Sequence, residues 1–461
     1  MELEVIKKLI KKYLPGHGDF LRKAMIAKRY YQAQNDILFM EKKKTDETEN
    51  PMRNADNRIA MTFYPLLVDQ KIAYLFTAPP LFDTKNEEAN QLITNTLGGE
   101  YAAKVQELGT NAANSGIGWL HYWTDENNDF QYGVVPSEQI IPVWSPKLSH
   151  ELLAVLRVYQ EFDDNGDIYD VYEFWDDETC TKYRKRGCDE LQMLTPYPCF
   201  TDFYISGMSG ADNEYRHNFG AVPFIPFRNN QLATSDLFRI KKLIDAYDKT
   251  ISGFMNDLED IQEVIFVLTN YGGEDLNEFL KNLKYYKTIS VESAGTGDSA
   301  GVSTLNIDIP VEARREMMVT TKKAIFTMGQ GVDPEQQGLN STSGEAMKFV
   351  YSLLELKAGQ LETQFRMGFD KLINAILRHY NRDTGPIIQT WTRTSIKNDA
   401  DLVSMCRNSV GVVSNKTILA HHPFVDDVSE EQKEIAKEQQ EQMEAMDMYG
   451  GAFNKAKGGE S

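Results

Sequence analysis

Between Ile240 and Ile261 the apolar residues Ile240, Ile244, Tyr247, Ile251, Phe254, Leu258 and Ile261 follow one another at steps of 4, 3, 4, 3, 4 and 3. A helix with that 3.5-residue period carries one narrow seam rather than the broad stripe of an ordinary core helix. The opposite face is charged: Arg239, Lys241, Lys242, Asp245, Asp248, Lys249, Asp257 and Asp260. An ordinary amphipathic helix satisfies this periodicity. So does a long helix packed on other long helices, in the same chain or in neighbouring copies.

The residues before the seam set its start. Val222–Phe227 reads as a short strand, and Pro223 and Pro226 place it at a sheet edge. Arg228, Asn229 and Asn230 break it. Thr234 or Ser235 is a natural N-cap, and Asp236 suits the first turn.

Upstream, the patterning predicts a helix over Glu2–Leu14 ended by Pro15 and Gly16, then a second over Asp19–Phe39. Glu41–Asn54 is a charged loop. Arg58–Phe76 reads as a long apolar helix kinked at Pro65, with further helices at Glu87–Leu97 and Glu100–Asn114. From Gly116 the texture changes to short β-branched and aromatic runs separated by turn signals: Ile117–Trp123, Phe130–Val135, Gln139–Trp144, Leu152–Phe162, Ile168–Trp175 and Thr179–Lys185. This predicts an antiparallel β region set among helices.

Downstream, Thr269–Asp308 is an insert of roughly 40 residues, with a small helix at Asp275–Leu283 and strands near Tyr285–Val291 and Ser303–Ile307. Pro310 opens a helix over Val311–Met328, so two long helices bracket the insert as in a helical hairpin. Gly331–Gly344 is loop, and its glycines at 331, 338 and 344 permit backbone states closed to other residues. Thr342 and Glu345 form a capping box for a helix running to about Tyr380, on the order of 50 Å long. A strand-like IIQTWTR, two short helices, an acidic Ser429–Met448 helix and a glycine-rich tail complete the chain.

Charge excludes more than it selects. A net charge of −19 argues against a surface that grips nucleic acid by neutralising phosphates, though not against one that lets DNA pass. No apolar run approaches the ~20 residues needed to span a bilayer. The amino terminus lacks a secretory apolar core, and Cys180, Cys188, Cys199 and Cys406 match neither a disulfide framework nor CxxC, so they read as reduced thiols of a cytosolic protein. Gly295–Gly301 lacks the spacing of a dinucleotide loop, and no GxxxxGK[ST] is present. Asp163–Asp167 puts Ile168 where a calcium loop needs glycine, so it reads as a hairpin turn. The histidines have no metal-ligand spacing, and no catalytic, cofactor or metal site is expected. Arg314, Arg315, Lys322 and Lys323 share a face of the second long helix. They suit salt bridges to Asp245, Asp248 or a neighbouring subunit, or sparse positive charge along a channel.

Three ordered blocks carry a resemblance. The stretch VPFIPFRNN…SDLFRIKKLIDAYDKTISGFMNDLEDIQEVIFVL, the block IPVEARREMMVTTKKAIFTMGQGVDPEQQGLNSTSG and the block EAMKFVYSLLELKAGQL resemble the portal proteins of tailed bacteriophages, the family of siphophages of Gram-positive hosts. The resemblance covers most of the chain in order. It implies an α+β, mainly α, portal-like fold with long stem and spine helices, an antiparallel β-containing wing, an α/β clip insert and a helical crown. The implied boundaries are a wing over 1–232, stem helices over 233–262 and 310–330, and a clip over 263–309. A tunnel loop over 331–344, a spine helix over 345–385, and a crown with acidic tail over 386–461 follow.

The function so implied is non-enzymatic. A homo-oligomeric ring, usually of twelve, sits at the capsid vertex of the virion and passes double-stranded DNA without reading its sequence. Its implied partners are the terminase large subunit, a head-completion or adaptor protein, and the major capsid and scaffolding proteins. No membrane is implied. Asp275, Glu278, Lys281 and Lys284 would dock partners at the clip. Arg314, Arg315, Lys322 and Lys323 would line the stem. Asp333, Glu335, Gln336, Gln337, Asn340 and Ser341 would face DNA, with the two acids opposing lasting capture. A helical scaffold or adaptor with no nucleic-acid role is the alternative that composition allows.

Overall fold

The computed structural model describes residues 3–41, 55–148, 150–199, 213–261, 265–269, 301–305, 310–335, 344–383, 385–394, 399–420, 422–425, 428, 431–438 and 440. The chain divides into a body, Met1–Pro334 with Leu353–Arg393, and a second unit, Glu335–Ser352 with Thr394–Ser461. It is a mixed α/β protein in which every described pairing between strands is antiparallel.

The first helix corrects the expected pair. α1 runs unbroken over Leu3–Tyr31 with Pro15 inside it. An interior proline costs about 3 kcal/mol through its missing donor and ring clash. Burial on both sides of it offsets that: Ile6 and Ile10 precede it, and Ala24, Ala27 and Tyr30 follow it, all shut from solvent. His17, two residues on, sits 2.8 Å from the Glu138 carbonyl through its Nε2.

The second correction is at Pro65. α2 spans Phe63–Phe76 rather than starting at Arg58, so Pro65 lies in its first turn, where no intrahelical donor is needed and no kink results. The preceding residues 55–62 carry no regular structure. β1 (Leu81–Asp83), α3 (Glu87–Leu97) and α4 (Tyr101–Ser115) follow. α2 and α4 pack closely because Gly109 has no side chain; a Cβ there would lie 2.8 Å from Ile72 Cδ1 and from the Phe76 ring.

The β region matches its alternation nearly residue for residue: β2 (Ile117–Thr124), β3 (Phe130–Val135), β4 (Ile140–Trp144), β5 (Leu152–Phe162), β6 (Ile168–Trp175) and β7 (Thr179–Arg186). The short β8 (Thr195–Pro196) and β9 (Glu214–Arg216) both pair with β7, giving a six-stranded sheet in the order β4-β5-β6-β7-β8 with β9 beside β7. Its inner face packs Leu156, Tyr172, Phe174 and Tyr183 on Ile6 and Ile10 of α1. Between β5 and β6 the Asp163 carboxylate accepts from the amides of Asn165 and Asp167, which makes a turn and not a cation loop. β10 (Phe224–Arg228) is the edge of a second sheet, order β10-β2-β3, as its prolines require.

A 3-10 turn at Leu237–Arg239 leads into α5 (Lys241–Ile261). α5 ends before an unexpected strand, β11 (Ile265–Thr269), which pairs with β12 (Gly301–Leu305) at the base of the insert. The β-branched and aromatic run Val264–Thr269 carries the strand signal that the helical seam obscured. α6 (Val311–Gly329) returns, and α7 (Gly344–His379) is a 36-residue helix, about 54 Å long, whose residues belong to both units. β13 (Ile388–Thr390) runs back to pair with β1, within the part of the chain that belongs to the body. In the second unit, α8 (Asp399–Asn408) and α9 (Asn415–Ala420) are the expected short helices, and residues 431–438 are helical.

Candidate functional site

α5 and α6 pack along each other. Their upper part is closed by the body. Ile240, Ile244 and Tyr247 of the seam are buried, and Phe63 of α2 stacks edge-on against Tyr247 at 5.0 Å and Phe326 at 6.0 Å. Further along, the seam opens. Leu258 of the seam is exposed, as are Met255 beside it and Met317 and Val319 on α6, Val319 by 56%. One helix pair thus holds a sealed half and an unsealed half with exposed apolar side chains.

The expected charged face of α5 is only partly a solvent face. Residues 55–61 form an extended strap along it. The amides of Met61, Ile59 and Asn57 donate to Asp248 Oδ1 at 2.9 Å, Ser252 Oγ at 3.0 Å and Asn256 Oδ1 at 2.6 Å. Asp248 is completely buried and also accepts from Asn35 Nδ2 at 2.6 Å. Burial lifts its pKa to about 6 against those two hydrogen bonds. Asp245 accepts from Lys241 at 2.8 Å and from the Tyr30 hydroxyl. Both carboxylates are therefore taken by α5 itself, α1 and the strap, and neither pairs with the cations of α6.

Those four cations split into two kinds. Arg314 pairs with Asp257 and lies over the Phe254 ring at 5.5 Å; Lys322 sits 3.5 Å from Asp333. Arg315 and Lys323 are exposed. The seven- and eight-residue spacing that groups them on one face does not reveal which have acids beside them.

The start of the glycine-rich loop is pinned. A Cβ on Gly331 would lie 2.1 Å from Leu67 Cδ2, so this glycine supplies room for a close approach and not the freedom expected of it. Gln70 holds Val332 at both ends, accepting from its amide at 3.0 Å and donating to its carbonyl at 2.8 Å. Asp333 and Glu335 are described; Gln336, Gln337, Asn340 and Ser341 lie outside the described residues, as do Thr342 of the capping box and Asp275, Glu278, Lys281 and Lys284 of the insert.

Beneath α5 lies a polar centre that the sequence reading missed. Asp236 accepts from Lys71 Nζ at 2.5 Å and from Asn229 Nδ2 at 2.9 Å, and lies 3.2 Å from Lys357 Nζ. Lys357 also donates to the Gly329 carbonyl at 2.9 Å, at the negative end of α6. One carboxylate thus joins α2, the turn after β10, the entry to α5, the exit of α6 and α7. Burial opposes its ionisation, but Lys357, Lys71 and Asn229 together hold its pKa well below the carboxylate range. Burial draws Lys71 down to about 8 in spite of Asp236. The available signal was a cation in an apolar stripe: Lys71 falls on the Leu67–Leu75 face, and Lys357 between Leu354 and Leu361.

Among the described residues, no group of three or more His, Cys, Asp or Glu side chains is placed to hold a metal, and no helix is long and apolar enough to cross a membrane. All four cysteines are free thiols.

The sequence matches the family model described as "Phage portal protein, SPP1 Gp6-like" over residues 10–445. The portal protein of Clostridium phage phiCD119 is 43% identical over 451 residues, spanning 94% of this chain and 95% of that protein. The portal protein of Bacillus phage SPP1 is 30% identical over 439 residues, spanning 89% and 82%. Among solved structures, a chain of "Neck of native GTA particle computed with C12 symmetry" aligns over 78% of this chain and 89% of its own, with a TM-score of 0.42 at 12% identity.

Proposed function

Because the chain belongs to the family of SPP1 Gp6-like phage portal proteins, we propose that its copies close into a ring around a channel for double-stranded DNA, with α5 and α6 as the stem. It is a structural component of the bacteriophage head-tail connector. The observation that carries the ring is the apolar half of the α5–α6 pair, open in the single chain. Light scattering on the purified protein is expected to give a mass many times 52.5 kDa, and negative staining a closed ring with a central hole. Met317→Asp should shift the particle toward monomers and leave its melting temperature nearly unchanged, since Met317 is half exposed. A wild-type chain that stays monomeric at micromolar concentration would sink the reading.

In such a ring Arg315 and Lys323 are the α6 cations free to face DNA, beside the exposed Lys242 and Lys249 of α5, while Arg314 and Lys322 are neutralised within the chain. Few free cations suit passage over capture, because each phosphate neutralised adds counterion-release affinity. The loop from 331 to 344 is the tunnel loop, its start held by Gln70. Asp333→Lys with Glu335→Lys should turn it into a DNA trap. Two added cations per subunit, plus a Lys322 deprived of its acid, should steepen the salt dependence of DNA binding by up to ~0.9 per phosphate contacted and stall packaging. Packaging at the wild-type rate by such rings would place the loop away from DNA.

The insert on the β11–β12 ribbon is the clip, where the terminase large subunit and later the head-completion protein dock. Replacing residues 270–300 by a short Gly-Ser linker should leave rings intact and abolish terminase capture in a pull-down. Loss of the rings would make the insert part of the assembly core. Major capsid and scaffolding proteins complete the partner set at the capsid vertex.

A further inference from the structure

A ring of more than two copies needs two different, complementary patches on each chain, because only a head-to-tail contact closes a cycle beyond a dimer. The body presents two such patches outside α5 and α6. One extends past β4. β4 pairs with β5 only as far as Arg157, and β5 continues with β6 to the pair Phe162–Ile168, five residues or roughly 17 Å farther, with β7 flanking β6 as far as Tyr169. Phe162 is 72% exposed and Ile168 42% exposed at this hairpin tip, next to the carboxylates of Asp163 and Asp164; the third acid, Asp167, pairs with Arg186 of β7. An apolar, acidic tip on an exposed hairpin is not what a solvated turn needs.

The other patch is recessed. A cleft of about 510 Å³ is lined by Tyr13, Phe20, Trp119, Trp144 and Leu232, with Arg228 at its wall. Leu232 is 82% exposed at its edge. Two cations rest on its aromatic lining: Arg228 lies 5.3 Å from the Trp144 ring centre, and Lys12 lies 5.1 Å from that of Tyr13. The volume is in the range of small-ligand pockets and accommodates two large side chains. Its basic, aromatic character complements the acidic, apolar tip.

We propose that the β5–β6 hairpin tip of one copy seats Phe162 and Ile168 in the Tyr13–Trp144–Leu232 cleft of the next copy, with Asp163 and Asp164 against Arg228 and Lys12. This contact rests on the ring reading and adds to it a second belt of subunit contacts outside the stem. It makes each copy's cleft incomplete until its neighbour fills it.

Thiol crosslinking tests it. In a Cys188→Ser background, which removes the exposed native thiol, Phe162→Cys with Leu232→Cys is treated with a short bismaleimide and run on a denaturing gel. A ladder from dimer upward is expected, with neither single variant crosslinking beyond the background. Phe162→Asp with Ile168→Asp should weaken association at least tenfold at unchanged melting temperature. Arg228→Glu should weaken assembly too, with partial recovery when combined with Asp164→Lys. Rings that form normally from the double aspartate variant, or that give no ladder with both cysteines present, would overturn this contact and leave the ring reading standing. A monomeric wild type would remove both.

Discussion

Asp236→Ala is expected to destabilise the body by about 3–5 kcal/mol, the range for removing one partner of a buried charge cluster. The loss is large because two buried cations are stranded at once: Lys71 at 1% exposure and Lys357 at 7%. Asp236→Asn should recover part of it through the Asn229 contact. Replacing all three charges together, as Lys71→Met, Asp236→Leu and Lys357→Met, should be far milder than the single change. Urea denaturation midpoints measure all three; a triple variant as weak as Asp236→Ala would contradict the account. The pH dependence has a defined sign. The folded pKa of Asp236 lies below its unfolded value, so its contribution is complete above about pH 4 and is lost as pH falls through the folded value. Lys71 acts at the other end. Its pKa falls from 10.5 unfolded to about 8 folded, so its burial penalty is full below pH 8 and is relieved as pH rises toward 10.5. Wild type should therefore lose stability in acid more steeply than Asp236→Ala.

Gly116→Ala is expected to cost about 3 kcal/mol or more. Two effects add. Gly116 has φ +86°, a left-handed conformation that costs other residues roughly 1–2 kcal/mol. Its new Cβ would also lie 2.2 Å from the Ala233 carbonyl oxygen and 2.7 Å from its carbon. Those are backbone atoms and cannot rotate away. Pushing them back strains the bonds that hold α4 to the approach of α5, from the Asn229 amide to the Gly116 carbonyl at 2.9 Å and from the Asp236 amide to the Ala113 carbonyl at 3.0 Å. Gly166→Ala is the control. It has φ +81° but nothing within 4 Å of a Cβ, so only the conformational part should appear. Equal melting-temperature losses for the two variants would show that the contact with Ala233 is not the cause.

What the sequence revealed follows from how local each determinant is. Strands β2 to β7 were legible because period-two alternation and turn residues such as Gly166 lie within a few positions of each other. α5 and α6 were legible from their own periodicity. Pro15 misled because the burial that overrides it comes from elements far along the chain, β4 to β7 before the proline and α4 after it. Asp248 misled because a charged residue on the outer face of an isolated helix is solvated, whereas here the strap covers it. Asp236 suited a first-turn acid, and nothing within a turn of it shows the two lysines it would meet. Of the proposed channel residues, the sequence found the cations but not that Asp257 and Asp333 neutralise half of them.

The strap on α5 carries a consequence for mutational tolerance. Its three rungs recognise main-chain amides, so Ile59 and Met61 are held without reference to their own side chains at those bonds, while Asp248, Ser252 and Asn256 are each committed to one. Sequence drift should be easy on the strap and hard on the helix that reads it. The rungs also behave as a vernier. Four helical residues advance about 6.0 Å, two extended residues about 6.6 Å, so the two scales slip by roughly 0.6 Å per rung. Three rungs stay within hydrogen-bonding tolerance, but each further one would add to the slip. Deleting a single residue between Asn57 and Met61 would put the rungs on one side of the cut out of register with the helix, a far heavier lesion than any substitution there.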